Sequence, residues 1–498
     1  MREHTPCPGH RDLPLAPGLP LTVDPAWLLA RRATHAATAS QVTAIRRLGT
    51  TRWLDRQLAP SAIDDRACEA FVARTFPVTR ADMPGIRRLT SDRTWEAQAS
   101  LARATLWRQM TTKRPLLERV VEVWHDHLHI ALNSDKVHGW VCVYDREAVR
   151  PHALGRFADL LYATTTHPAM LHYLDNVWSD PDHPVENLAR ELLELHTVGV
   201  GRHTEADVEH LSRLLTGFSV DDTSGAFRYR PTQHAVGPVS IVGFRHPNAS
   251  PGAGPEALRA LVEHLAMHPA TVRRVCLRLA RRFVSDSPPA SLVSRLEVAY
   301  RANRTRIAPV LRVLFTSKEF AASTGRKWAR PQEFLASAYA SSAPSYRAPK
   351  ELTPWSPLGT YAWLAERLGH LPLAYPDPEG YPDTVSAWMH SGSMLGTWNA
   401  AEAIAGGWDE TLVRRGWART LGVSTKLTYA QATTRMFTLL TGYAPAAKDR
   451  DAVAAFLADS SLRSGVPKAS ARVTGDAIRW NLDEAVRLVL ASPYMSLR

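Results

Sequence analysis

LLERVVEVWHDHLHIA, Leu116 to Ala131, decides the fold. Leu117, Val120, Val121 and Trp124 recur at three- and four-residue spacing, so they share one face of a helix. The same periodicity spreads outward in both directions. Upstream lie an Ala- and Arg-rich stretch, Thr94 to Gln109, and helical pattern from Trp27 to Leu58, stopped by Pro60. Downstream it continues over His152 to Ala163, Glu186 to His196, Ala206 to Leu215, Pro255 to Met267 and Pro269 to Phe283. Thr204 with Asp207 is a helix-start signal, and Gly199 and Gly201 are helix stops. Ala226 to Phe244 breaks the pattern: Phe227, Tyr229, Val239, Ile241 and Phe244 alternate with polar or small residues, predicting a short hairpin inserted among helices.

The predicted fold is therefore mainly α, a multi-helix globular protein with a small β-hairpin insertion around 226–244. Residues 1–26 read as an extension, and 27–498 as one continuous domain. That domain divides into two helical lobes joined through a Pro- and Ser-rich connection near 341–382. Within it, LPLAYPDPEGYP, Leu371 to Pro382, carries four prolines and the aromatic rings of Tyr375 and Tyr381. Loops of that composition pack over a surface rather than forming regular structure.

Composition excludes several classes. With 498 residues, 45% hydrophobic and 22% charged, the chain is ordinary globular material. No run approaches the ~18 apolar residues of a membrane-spanning helix, so no membrane partner is expected. Met1 to Pro20 lacks a basic stretch followed by an apolar run, which points to a cytoplasmic protein. Cys7, Cys68, Cys142 and Cys276 lie far apart, with no paired-thiolate spacing. The net charge of +12 comes from arginines spread through helices, as in Arg273-Arg274 and Arg281-Arg282, without a basic run interleaved with aromatics. A nucleic-acid partner is not expected; a small-molecule substrate, including an anionic one, fits. Oligomeric state is not legible.

Three segments could carry chemistry. In Trp124-His125-Asp126-His127-Leu128-His129, His125 and His129 lie one turn apart and share a face, the arrangement that lets two imidazoles reach one metal. The alternative is interhelical hydrogen bonding by partly buried histidines. In Glu186 to His196, Arg190 is one turn from both Glu186 and Glu194, while Glu191 and Glu194 could both reach a site, as helical carboxylates do in di-metal bundles. The ExxH spacing of those bundles is missing, and a buried Arg–Glu network accounts for the pattern equally well. Third, His167 before Pro168 stands at a helix start with Met170 nearby; both are axial haem ligand types, although no CxxCH attachment motif exists. No GxSxG, GxxxxGK[ST], HExxH or GxGxxG motif is present, which disfavours serine hydrolases and nucleotide-driven enzymes.

These segments, with others in order along the chain, make it recognisable. WLLARRATHAATASQVTAIRRLGTTRWLDRQLAP, WHDH, RPHALGRFADLL, HPAMLHYLDN, ENLARELLELHTVGV, TEADVEHLSRLLTGFSV, HPATVRRVCLRLARRFV, LFTSKEF, GYPD and ASPYMSLR together resemble the bacterial "domain of unknown function 1800" family over about Trp27 to Arg498. The resemblance implies a mainly helical protein and no particular activity. It implies typical polar positions at His125, His127, Arg150, His152, Asp175, Asn176, Glu186, Asn187, Arg190, Glu191, Glu194 and Asp207; His129 and His196 fall outside the usual pattern. Asp126 and Leu128 stand where the family usually has Asn and Phe. At Gln233 to Pro238 the usual His-Asp and following Lys are reduced to His234.

The leading functional expectation is a metal- or haem-dependent oxidoreductase holding iron, copper or haem. His125, His127 and Glu191 would be its metal ligands, and His125 and His167 its haem-side ligands. Arg150, His152, Arg190 and Glu194 would be the catalytic and supporting groups. Two alternatives stay open. One is a non-catalytic binding or assembly protein with a buried Arg/Glu/His network and a contact surface at Tyr375 and Tyr381. The other is a metal-free hydrolase using Glu191 and Glu194.

Overall fold

A computed structural model describes residues 24–459 and 468–498. Of the extension expected over 1–26, residues 1–23 lie outside the described residues. Asp24 already caps the first helix, Pro25–Ala33, its carboxylate accepting from the Ala26 amide at 2.6 Å. The pattern from Trp27 to Leu58 resolves into three helices, Pro25–Ala33, Ala39–Leu48 and Thr50–Gln57, with Gly49 at φ 80° turning the chain between the last two. Only glycine takes that left-handed backbone without strain.

Longer helices follow where periodicity predicts them: Glu96–Thr111, Pro115–His127, Glu205–Leu214, Gly254–Met267 and Pro269–Phe283. Their ends obey local chemistry. Pro115 and Pro269 open helices where a missing N–H costs nothing. Thr204 and Asp207 form a reciprocal capping box, and His167 Nδ1 accepts from the Ala169 amide at 3.1 Å.

The expected hairpin is two hairpins. Phe227–Tyr229 pairs backward with Phe218–Val220, while Val239–Ile241 pairs with Phe244–His246. The second closes on Val242 and Gly243, both at positive φ (47° and 79°), as a two-residue hairpin turn requires.

Two hydrophobic cores result, and they interleave along the sequence. The first gathers side chains from Ala26 to Phe320 together with Leu373; the second joins Phe71 to Met110 with Phe334 to Leu497. The helix Glu96–Thr111 serves both, giving Ala97 and Leu101 to one core and Ala104, Leu106 and Met110 to the other. The segment 341–382 does more than connect: Ser345–Tyr346 pairs with Leu412–Val413, and Gly359–Arg367 sends Tyr361 and Leu364 into the second core. Among the described residues, no helix is long and apolar enough to cross a membrane.

The Pro-rich loop closes over the end of the central helix, Pro115–His127. The Leu132 amide donates to the Leu373 carbonyl at 2.7 Å. Gly380, at φ 70°, lies so close to the Asp126 main chain that any Cβ there would collide with it. Tyr381 is buried, its hydroxyl donating to the Leu371 carbonyl at 2.7 Å between His370 and Trp388. The loop's inner tyrosine therefore packs inward and is not a contact surface.

Candidate functional site

Glu118, Arg119, Glu122, His125, Asp126 and His127 of the central helix are all buried, although each is a polar or ionisable residue. A helix buried all round is normally apolar all round. This one meets its polar partners on three sides.

On the first side Glu118 and His125, seven residues apart, face a loose π-type turn, Tyr144–Val149. His125 Nε2 lies 2.8 Å from Asp145 Oδ1. Arg150 Nε donates to Asp145 Oδ2 at 2.6 Å, and its two terminal nitrogens grip the Glu118 carboxylate at 2.7 and 3.0 Å. Burial alone would raise the Asp145 pKa, but Arg150 and His125 outweigh it and hold the group well below the usual carboxylate range.

On the second side Arg119, Glu122 and Asp126 enter a larger assembly at the seam between the cores. Glu122 receives Arg119 at 2.8 Å, Arg282 at 3.4 Å and Arg330, with His35 Nε2 at 3.1 Å. Asp126 receives Arg282 at 2.6 Å and Arg330 at 2.9 Å. Arg119 and Arg498 both reach Glu333, and Arg282 also meets Asp383 at 3.1 Å. Lys327 ties Asp383 to Asp286. Burial opposes ionisation of Glu122, yet Arg330, Arg282, His35 and Arg119 together keep its pKa well below normal; Asp383 is likewise held at about 2. Arg32 needs no carboxylate: it donates to the carbonyls of Val284, Ser323 and Arg498.

The third side holds the remaining histidines. His127 Nε2 sits 3.0 Å from the His196 carbonyl, and burial drives its pKa well below normal. His129 has Nδ1 2.9 Å from the His125 carbonyl and Nε2 2.8 Å from that of Tyr375. A neutral imidazole can donate to only one of them. His167 lies instead on the first side, buried beside Tyr144, and burial pushes it down to about 3.

The carboxylates of the second motif stand apart from this. Arg190 pairs with Glu186 at 3.0 Å and Glu205 at 2.7 Å, and lies 3.8 Å from Glu194, which also approaches His203 at 3.4 Å. All these groups except His203 are part-exposed or exposed. Glu191 is half-buried; burial, then Glu194, then Glu379 of the Pro-rich loop raise its pKa. A raised carboxyl beside a second carboxylate is the pattern acid–base chemistry uses. His152 lies part-exposed, its pKa lowered by burial.

Of the residues expected to act together, the structure joins His125 with Arg150, and Glu191 with Glu194 and Arg190. It does not join these two sets: His125, His127 and Glu191 do not bring three ligand atoms within 4.8 Å of one another, and His152 and His167 stand outside both. Among the described residues, only Asp65, Cys68 and Glu69 bring three such atoms together. Those are already engaged, Asp65 by Thr112 and the Lys113 amide and Glu69 by Arg108, while burial pushes the Cys68 thiol up to about 12. Sequence reasoning missed Glu122, Asp126, Arg282, Arg330, Glu333 and Asp383. The available signal was Arg282 on the apolar stripe of its helix, in step with Val272, Val275 and Leu279.

The family model described as "Protein of unknown function (DUF1800)" matches residues 28–497. The chain belongs to the DUF1800 family. No curated protein and no solved structure matches it. In this DUF1800 chain, Asp126 of the Trp-His motif and Asp383 of the GYPD motif meet at Arg282, so two distant motifs close one ionic assembly.

Proposed function

We propose that this DUF1800 member is a non-catalytic binding protein whose His-, Arg- and Glu-rich motifs hold a rigid two-core scaffold in register. One observation carries the reading. The central helix lies between two buried charge assemblies, Glu118 with Arg150, Asp145 and His125 on one side, and Arg119, Glu122 and Asp126 with Arg282 and Arg330 on the other. Their charged groups engage one another, whereas a general acid or base needs hydrogen-bond reach to a substrate. Buried ion pairs add little net stability, but losing one partner is costly, which suits a registry device.

A metal- or haem-dependent oxidoreductase is the second reading, favoured by the Nδ1 atoms of His125 and His127, buried without a hydrogen-bond partner. His125→Ala separates the two. A structural His125 costs about 1.5–3 kcal/mol when its bond to a charged partner is lost, with metal content unchanged from the parent protein. A ligand His125 loses stoichiometric metal on substitution, and that result would overturn the proposal.

A further inference from the structure

A cavity of about 540 Å³ opens where the two cores meet, between the helices Ala39–Leu48 and Thr50–Gln57, the end of Glu96–Thr111 and the turn after Pro331–Ser341. That volume is within the range of small-molecule sites. Its wall is apolar and aromatic, with Trp53, Trp107, Met110 and Ile63. Trp107 is braced from behind, stacked on Phe71 at 3.7 Å between ring centroids.

The rim is cationic. Arg47, Arg56 and Lys113 line it, all exposed, and no aspartate or glutamate does. Among the described residues none of the three is ion-paired; the neighbouring Asp64 is held by Arg66 at 2.9 Å, and Asp65 by Thr112 and the Lys113 amide. Three cations with no carboxylate among them therefore ring one apolar cavity. Gln57 is 4% exposed and anchored through Nε2 to the Lys113 carbonyl at 3.0 Å, which fixes it in the wall.

We infer that this cavity binds a small organic monoanion with a flat apolar body, the ring between Trp53 and Trp107 and the carboxylate or sulfonate at Arg47, Arg56 and Lys113. The inference extends the binding reading by giving it a site and a ligand class. A metal found at His125 would contradict that reading and leave the cavity untouched.

The test uses the full chain, 2-naphthoate as probe and tryptophan fluorescence as readout. Saturable quenching is expected, with 2-naphthylmethanol, the uncharged analogue, binding at least about tenfold more weakly. The double variant Arg56→Glu with Lys113→Glu, both on the exposed rim, should weaken 2-naphthoate by at least about tenfold. Ala340→Phe, which puts a ring into the cavity, should abolish binding; if circular dichroism shows that variant unfolded, the rim variant decides. Equal affinity for the uncharged analogue, unchanged affinity in the rim variant, no saturable binding at millimolar probe, or displacement by inorganic phosphate as effective as by a second aryl carboxylate would each overturn the inference.

Discussion

Glu122→Gln removes one negative charge from the centre of the seam without changing side-chain size. In the parent protein its two oxygens face Arg119, Arg282, Arg330 and His35, while Asp126, Glu333 and Asp383 supply the other negative charges. The variant leaves Arg330 with Asp126 and Arg119 with Glu333, but buries a surplus of positive charge away from water. Breaking a buried pair in this way costs about 3–5 kcal/mol. At about 2.1 cal/mol/K per residue, a chain of 498 residues unfolds with an entropy of about 1 kcal/mol/K, so the melting midpoint should fall by about 3–5 °C. Far-UV circular dichroism melts at pH 7 measure it. Adding Arg330→Met removes the stranded cation, and the double variant should lose less than the two single losses combined. A midpoint unchanged by Glu122→Gln would refute the claim that the seam is an obligatory ionic clamp.

Three further outcomes follow from the same structure. Glu191→Gln should leave the midpoint unchanged or raise it at pH 7, because burial and Glu194 already disfavour the ionised carboxylate there; a large loss would put Glu191 into the structural network after all. Acid should unfold the protein early. His167 and His196 are pushed to about 3 by burial, whereas an unfolded ring titrates near ~6.5. Below that value the unfolded chain binds protons the folded one refuses, so stability is lost as pH falls toward about 3, by about 1.4 kcal/mol per pH unit for each ring. Asp383, held at about 2, adds a loss of the same sign at lower pH. Stability rising on acidification from pH 6.5 to 4, read by urea titration, would contradict this. Finally, burial raises the thiol pKa of Cys68, Cys142 and Cys276, so these three should react with Ellman's reagent only after unfolding.

Local features were legible in the sequence because local chemistry sets them. The helix starts at Thr204 and His167, and the pairing of Arg190 with Glu186 and Glu194, follow from spacings of a few residues. Burial of that pairing was not legible, and it lies toward solvent. The hairpin pattern showed strand positions but not partners, since Phe227–Tyr229 reaches back to a strand whose Phe218-Ser219-Val220 is buried throughout and does not alternate. The seam was hidden for a physical reason. Glu122 and Arg330 are 208 residues apart and Asp126 and Arg282 are 156 apart, and no spacing rule links buried ions brought together by tertiary packing. Arginine as a bulk excess concealed Arg32, Arg119, Arg282 and Arg330, each buried and each matched. The cavity was equally silent, because its cations come from three separate elements and acquire meaning only beside Trp53 and Trp107.

We propose that the histidine-rich helix is structural, with no metal or haem centre. Elemental analysis with an absorption spectrum, on untagged protein before and after incubation with iron, copper and haemin, tests it most directly. Substoichiometric metal and no Soret band are expected in both samples, with the melting midpoint unmoved by the additions. Stoichiometric metal, or a Soret band that disappears in His125→Ala or His127→Ala, would contradict it.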